Sequence, residues 1–290
     1  MKMRREEWTM KKNVWFITGA SRGIGLELVQ AALQAGHQVA ATVRSKPEQL
    51  ASLLGHPANL LVTVLDVTDE DQAKEAAEEA VRHFGRIDVL VNNAGYGLLS
   101  AVEEATDAEV KHNYEVNVFG SLNVIRAVLP QMRKQRSGHV INLSSVGGLT
   151  GLAGWGLYCS TKFAVEGITE AMARELAPLG IHTTAVEPGF FRTDFLDASS
   201  LIRSGNVIED YAETVGEMRN FATQVNKKQP GDPKKLAQAI LTLAGSEHPP
   251  VHLPLGKDTL AYYKEKKDRM DSEIEQWYDV ITGTDHDDVK

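Results

Sequence analysis

The chain has 290 residues, 42% of them hydrophobic and 24% charged, which is enough to bury a full α/β core and too ordinary for a disordered or fibrous protein. Its formal charge of −8 argues against nucleic-acid binding, which needs a concentrated positive surface. The single cysteine, Cys159, excludes an internal disulfide and fits a reducing compartment. The opening MKMRREEWTMKK lacks the apolar core of a secretory signal, and no later apolar run is long enough to cross a bilayer, so a cytoplasmic protein without a membrane span is expected.

In chain order, the first β-branched run is NVWFIT (13–18), and the glycine-rich TGASRGIG (18–25) follows at once and opens a helix. Further strand patterns are QVAATV (38–43), LLVTVLD (60–66), IDVLVNN (87–93), HVINLSS (139–145), HTTAVE (182–187) and PVHLPL (250–255). Helical patterns lie between them, among them residues 69–85 and 111–135. This alternation predicts a doubly wound parallel sheet in one domain spanning 1–290, with helices on both faces and a core at 13–255. Ligands of such sheets sit beyond the carboxyl ends of the strands. The one long departure from the rhythm, residues 190–230, directly follows a strand end and is expected to form a substrate lid. The amphipathic stretch 257–280, part of a C-terminal extension reaching 290, is expected to cover either a subunit surface or the chain's own core. His248 and His252 are separated by Pro249 and Pro250, and His286 stands alone among aspartates, so no metal is expected.

Gly19, Gly23 and Gly25 sit between a strand and a helix, where they allow a tight turn and leave helix-terminal N–H groups facing a pyrophosphate. No Lys-Ser/Thr pair follows the last glycine, so this is a dinucleotide loop and not a triphosphate loop. The second strand ends in Val43 and Arg44, where an acidic residue would normally hold a ribose 2′-hydroxyl. A guanidinium there suits a 2′-phosphate, and Arg22 in the glycine loop could flank it, which predicts NADP(H) as cofactor.

The segment LYCSTKFAVEG (157–167) sets Tyr158 and Lys162 four residues apart, on one helix face. A free phenol has a pKa near ~10, and a neighbouring ammonium favours its ionised form, so the pair reads as an acid–base device. The alternative is a core tyrosine beside a lysine that reaches water.

The glycine spacing, TGxxxGxG, is followed in order by NNAG (92–95), NVFG with Asn117, SSVGG (144–148), YCSTK and PGFFRT (188–193). With these motifs the chain resembles the short-chain dehydrogenase/reductase family, from about residue 13 to 255, with some local similarity to its steroid and retinoid branch. The resemblance implies a Rossmann-type fold with seven parallel strands, dimers or tetramers, and an NADP(H)-dependent oxidoreductase. It implies a catalytic set of Asn117, Ser145, Tyr158 and Lys162. The family's serine spacing selects Ser145 over its neighbour Ser144, and its asparagine holds a water passing protons toward the lysine. Cofactor contacts carried over are Gly19, Ser21, Arg22, Gly23, Ile24, Gly25 and Arg44 around the phosphates, with Asp66 and Val67 along the adenine. Asn93, Ala94 and Gly95 would pass the adenosine ribose, Lys162 would bind the nicotinamide ribose, and Pro188, Gly189, Phe191 and Thr193 would border the nicotinamide.

Candidate pocket residues are Tyr96, Leu98, Leu149, Ala153, Trp155, Phe190, Phe195 and Leu196, an apolar set without an anion clamp. They predict a small apolar carbonyl or alcohol as substrate. A non-catalytic NADPH-sensing regulator, and an epimerase or dehydratase on the same scaffold, are the competing readings.

Overall fold

The computed structural model describes residues 12–286. Its strands are β1 (Val14–Ile17), β2 (Gln38–Val43), β3 (Leu60–Val64), β4 (Val89–Asn92), β5 (Gly97–Leu99), β6 (Gly138–Leu143), β7 (Ile181–Pro188), β8 (Leu201–Arg203) and β9 (His252–Leu255). Seven of them form one parallel sheet in the order β3-β2-β1-β4-β6-β7-β9. The order reverses direction between β1 and β4, and that crevice is where open α/β sheets bind their ligands.

The helices are α1 (Gly23–Gln34), α2 (Pro47–Leu53), α3 (Glu70–Phe84), α4 (Asp107–Tyr114), α5 (Ser121–Gln135), α6 (Val146–Leu149), α7 (Gly156–Leu176), α8 (Glu217–Val225), α9 (Pro233–Ala244), α10 (Lys257–Gln276) and α11 (Tyr278–Thr282). Side chains on a strand alternate between its faces, and the core divides accordingly. Trp15, Ile17, Val39, Ala41 and Val91 pack with Leu28 of α1 and Ile240 of α9. Phe16, Ala40, Leu90 and Val140 pack on the opposite face with Ala76 of α3, Val128 of α5 and Met172 of α7. Burial on both faces is why these strands read as unbroken apolar runs.

The helix expected over 111–135 is interrupted. A π-helical turn, Glu115–Gly120, separates α4 from α5 and carries Asn117. The sequence also gave no sign of β5 and β8, three residues each, which pair in parallel as a second small sheet. β8 lies inside the 190–230 excursion, which also holds 3-10 turns at Asp194–Leu196 and Glu209–Tyr211, a π-turn at Ala212–Gly216 and α8. The excursion is anchored through Glu104, which is 1% exposed. Its carboxylate accepts from Ala101 N at 2.7 Å and Ile208 N at 3.0 Å and pairs with Arg219 of α8.

α10 is tied to the sheet by its first turn, where Thr259 is fully buried and Asp258 Oδ2 accepts from Phe190 N at 2.6 Å. It then runs over α7, with Lys266 Nζ 4.7 Å from the Phe163 ring centre. The first part of the extension therefore lies against its own chain. The first eleven and last four residues of the chain, including the end of the expected extension, lie outside the described residues. Among the described residues no helix is long and apolar enough to cross a membrane.

Removing one member of a buried ion pair strands the other, at a cost of about 3 kcal/mol. Arg219→Ala should therefore lower the unfolding free energy by roughly that amount, read from the urea midpoint at unchanged slope. A midpoint equal to wild type would show that the pair does not hold the excursion down.

Candidate active site

The glycine loop is shaped by close contact with the end of β4. Gly19 and Gly23 have φ of +65° and +56°, a left-handed conformation open to glycine. A Cβ on Gly25 would lie 2.4 Å from the Gly19 carbonyl oxygen and 2.6 Å from Asn93 Nδ2. Asn93 Nδ2 donates to Thr18 O at 2.8 Å and Gly19 O at 3.0 Å, while Thr18 Oγ1 accepts from Asn93 N and Ala94 N at 3.0 and 3.1 Å. Thr18 is thus the hub joining β1 to β4. Its place at the head of the glycine motif was the available signal, though its role escaped the sequence reading. α1 starts with no side chain capping it, which leaves first-turn N–H groups for an anion. The loop fits a dinucleotide pyrophosphate on this chain's own geometry.

Ala20 N donates to Thr42 O at 3.0 Å, which ties the loop to the end of β2. Ser21 is exposed at the loop's tip, and Ile24 packs against the core. Val43 is buried, while Arg44 and Lys46 stand exposed just beyond it with no carboxylate among them. Lys46, absent from the sequence reading, adds a second cation at this strand end. Arg22, expected beside a 2′-phosphate, is turned elsewhere: Nε donates to Ser200 Oγ at 3.1 Å and Nη2 to Ser199 O at 2.5 Å. It clasps the 190–230 excursion, because that segment offers acceptors directly above the loop.

At the end of β3, Asp66 Oδ1 accepts from Thr68 N and Oγ1 at 3.0 and 2.7 Å, and Val67 O accepts from Asn123 Nδ2 at 3.0 Å. Beyond β7, Gly189 N donates to Leu255 O at 2.9 Å, so the Pro188–Gly189 turn rests on the end of β9. A Cβ on Gly23 would lie 3.7 Å from Thr193 Cβ, which brings Thr193 over the glycine loop. Phe191 is different: it bridges to Gly231 and packs against the core, so it supports the wall from behind.

The four candidate catalytic residues come together beside this crevice. Tyr158 and Lys162 are each 7% exposed, and Lys162 Nζ lies 5.7 Å from the Tyr158 ring centre. A Cβ on Gly147 would stand 3.6 Å from both Ser145 Oγ and Tyr158 Cε1, so serine and phenol flank one spot. Ser145 Oγ accepts from Gly147 N at 3.1 Å, which leaves its O–H free to donate. Ser144, one residue back, is buried on the opposite side. A Cβ on Gly95 would lie 3.0 Å from Asn117 Oδ1 and 3.7 Å from Lys162 Nζ, so an exposed glycine slot opens onto the lysine.

One feature differs from expectation. Burial pushes the Tyr158 phenol well above its usual range, against a smaller opposing pull from Ser145. The lysine does not lower it because Lys162 faces the ring, and its ammonium donates to Leu143 O at 2.8 Å. Burial brings Lys162 itself down to about 8, partly offset by Glu166. Asn117's side chain accepts from Tyr96 N at 3.0 Å and donates to Tyr96 O and Thr161 Oγ1 at 3.0 and 3.1 Å. It braces the backbone at Tyr96, and the π-turn is what aims it there.

Of the expected pocket residues, Trp155, Phe195 and Leu196 gather around Tyr158, with Phe195 centred 5.6 Å from the phenol ring and 6.2 Å from Trp155. Leu99, Leu201 and Met218 join them, all missed because they sit on β5, β8 and α8. Four others are placed elsewhere. Tyr96 packs on His112, Phe190 on Phe221, Ala153 is exposed, and Leu149 lines a cleft under α10. Leu98 is 1% exposed and structural.

Comparison with known proteins agrees with this geometry. The profile of the short chain dehydrogenase family matches residues 13–201. A 3-ketodihydrosphingosine reductase of Bacteroides thetaiotaomicron is 35% identical over 92% of this chain and 97% of its own. The crystal structure of a short-chain dehydrogenase from Streptomyces avermitilis superposes with a TM-score of 0.88 at 40% identity, covering 95% of this chain and 100% of that one. ElxO with NADP bound superposes at 0.71 with 30% identity, covering 87% and 100%. The protein is therefore a member of the short-chain dehydrogenase/reductase family of oxidoreductases.

Proposed function

We propose that the protein interconverts a hydrophobic ketone or aldehyde and its alcohol with NADP(H), using Tyr158 as general acid and base. The observation that carries this reading is the Ser145 hydroxyl standing beside the buried Tyr158 ring and within hydrogen-bonding reach of its phenol. A bound nicotinamide would supply or accept the hydride. Because burial keeps the phenol protonated at neutral pH, Tyr158 is ready to give a proton to a carbonyl oxygen that gains negative charge. The O–H of Ser145, not used by the Gly147 bond, would stabilise that same oxygen. Lys162 holds a positive charge behind the pair, and Asn117 fixes the Tyr96 backbone that borders it.

Gly19, Gly23, Gly25 and the open N-terminus of α1 would hold the pyrophosphate, and Asn93–Gly95 the adjoining ribose. Arg44, with Lys46 and no carboxylate beside it, favours a 2′-phosphate, and the NADP in ElxO is consistent with that. The apolar cluster of Trp155, Phe195, Leu196, Leu99 and Leu201 favours an apolar substrate under a lid made by β8 and α8. The name of the Bacteroides relative, a reductase of a keto sphingoid, supports the same class.

Loss of NADPH absorbance across a panel of long-chain and cyclic carbonyl compounds tests the activity, and no stoichiometric oxidation with any of them would overturn it. Tyr158→Phe should leave NADPH binding, followed by fluorescence, near wild type while turnover drops about 10²- to 10⁴-fold. Arg44→Ala should weaken NADPH by roughly 1.5 to 3 kcal/mol and leave NADH unchanged, as titration of both would show. With Lys162 at about 8, below its ordinary 10.5, the ammonium is lost as pH rises through that value. The rate of carbonyl reduction, kcat/KM against pH, should accordingly fall on the alkaline side of about 8. A flat profile there would detach Lys162 from the chemistry.

A further inference from the structure

Behind the catalytic pair, facing away from Tyr158, lies a group of side chains that the proposed reaction does not use. Glu166 follows Lys162 by one turn of α7, Glu187 is near the end of β7, and His252 opens β9. β9 pairs beside β7 with His252 opposite Ala185, so His252 and Glu187, two residues on from Ala185, share one face of the sheet under α7. One ligand atom from each of Glu166, Glu187 and His252 lies within 4.8 Å of the others. His252 Nδ1 is 2.9 Å from Glu187 Oε1 and 3.3 Å from Glu166 Oε2.

Two carboxylates are packed here out of water with too little to satisfy them. Glu187 is 0% and Glu166 6% exposed. Glu187 Oε2 and both oxygens of Glu166 have no hydrogen-bond partner among the described residues. A separate observation points into the same space. Ser144 is 5% exposed and turns its Oγ toward Glu166. A Cβ on Gly148 would meet Ser144 Oγ at 2.4 Å and Glu166 Oε1 at 2.8 Å, so hydroxyl and carboxylate face one another across a glycine gap.

We propose that Glu166, Glu187 and His252 form a divalent-cation site, suited to Zn²⁺, with Ser144 Oγ or a water as fourth ligand. Ligand atoms about 2.0 Å from a tetrahedral zinc stand about 3.3 Å apart along each edge, close to the two His252 separations. One imidazole and two carboxylates favour zinc over magnesium or calcium, which take oxygen alone. The second ring nitrogen of His252 lies 3.5 Å from Glu170 Oε1, the carboxylate that orients a ligating histidine through its far side. Entry is available too. The His252 side chain is 41% exposed, and with Glu166 and Glu170 it lines a cleft of about 540 Å³ between α7 and α10. A cation there would join α7, β7, β9 and the turn that carries Ser145. It is a structural site, independent of the reading of the reaction, and metal binding reports on it whether or not the enzyme turns over.

The test uses untagged full-length protein dialysed against a chelator and titrated with Zn²⁺ by calorimetry, with Mg²⁺ as comparison and thermal unfolding in parallel. One Zn²⁺ per chain with a rise in Tm, and no comparable response to Mg²⁺, is the expected result. His252→Ala, at a half-exposed position, should fold and lose that binding by 100-fold or more, and Glu187→Gln should do the same. Glu170→Gln should weaken it by about 10- to 100-fold. Wild type without saturable binding near one equivalent, or His252→Ala binding as tightly as wild type, would overturn the proposal. Should Glu187→Gln not fold, His252→Ala decides alone.

Discussion

The whole site rests on one steric constraint, the approach of the glycine loop to the end of β4. The space where a side chain at residue 25 would begin is filled by the Gly19 carbonyl oxygen and the Asn93 amide. With nothing there, Asn93 can pin the loop from one side while Thr18 pins the end of β4 from the other. That clasp holds the crevice open at the point where strand order reverses. The start of α1, the exposed cations after β2 and the slot at Gly95 all stand at the carboxyl ends of their strands, on that side of the sheet.

Much of this was legible in the sequence, for identifiable reasons. A strand buried on both faces must be apolar throughout, so all seven strands of the main sheet could be read, and QVAATV to the residue. The order of motifs at strand ends fixed where chemistry gathers. Illegible were interactions between segments far apart in the chain. Three-residue strands such as β5 and β8 carry no periodicity, so Leu99 and Leu201 could not be seen to meet over Tyr158. The direction of a long side chain is equally hidden, and Arg22 is the clear case. His252 is another: Glu166 and Glu187, far from it in sequence, are brought to it by the sheet and α7.

The phenol illustrates how burial can outweigh charge. Enclosing a hydroxyl in an apolar cluster favours its neutral form, and a cation above the ring, already donating to Leu143, does not reverse that. The resting arrangement therefore favours donating a proton over removing one. Under the proposed role of Tyr158, that arrangement would suit the reductive direction.

The grip of Asp258 on Phe190 bears on how the molecule is made. The turn that borders the far end of the crevice is complete only once α10 has supplied that carboxylate, 68 positions downstream. During synthesis the glycine loop and β4 emerge early and can assemble, but the nascent crevice lacks one rim until the chain has passed residue 258. Under the proposed cofactor assignment, the rim expected beside the nicotinamide would thus be the last part of the crevice to form.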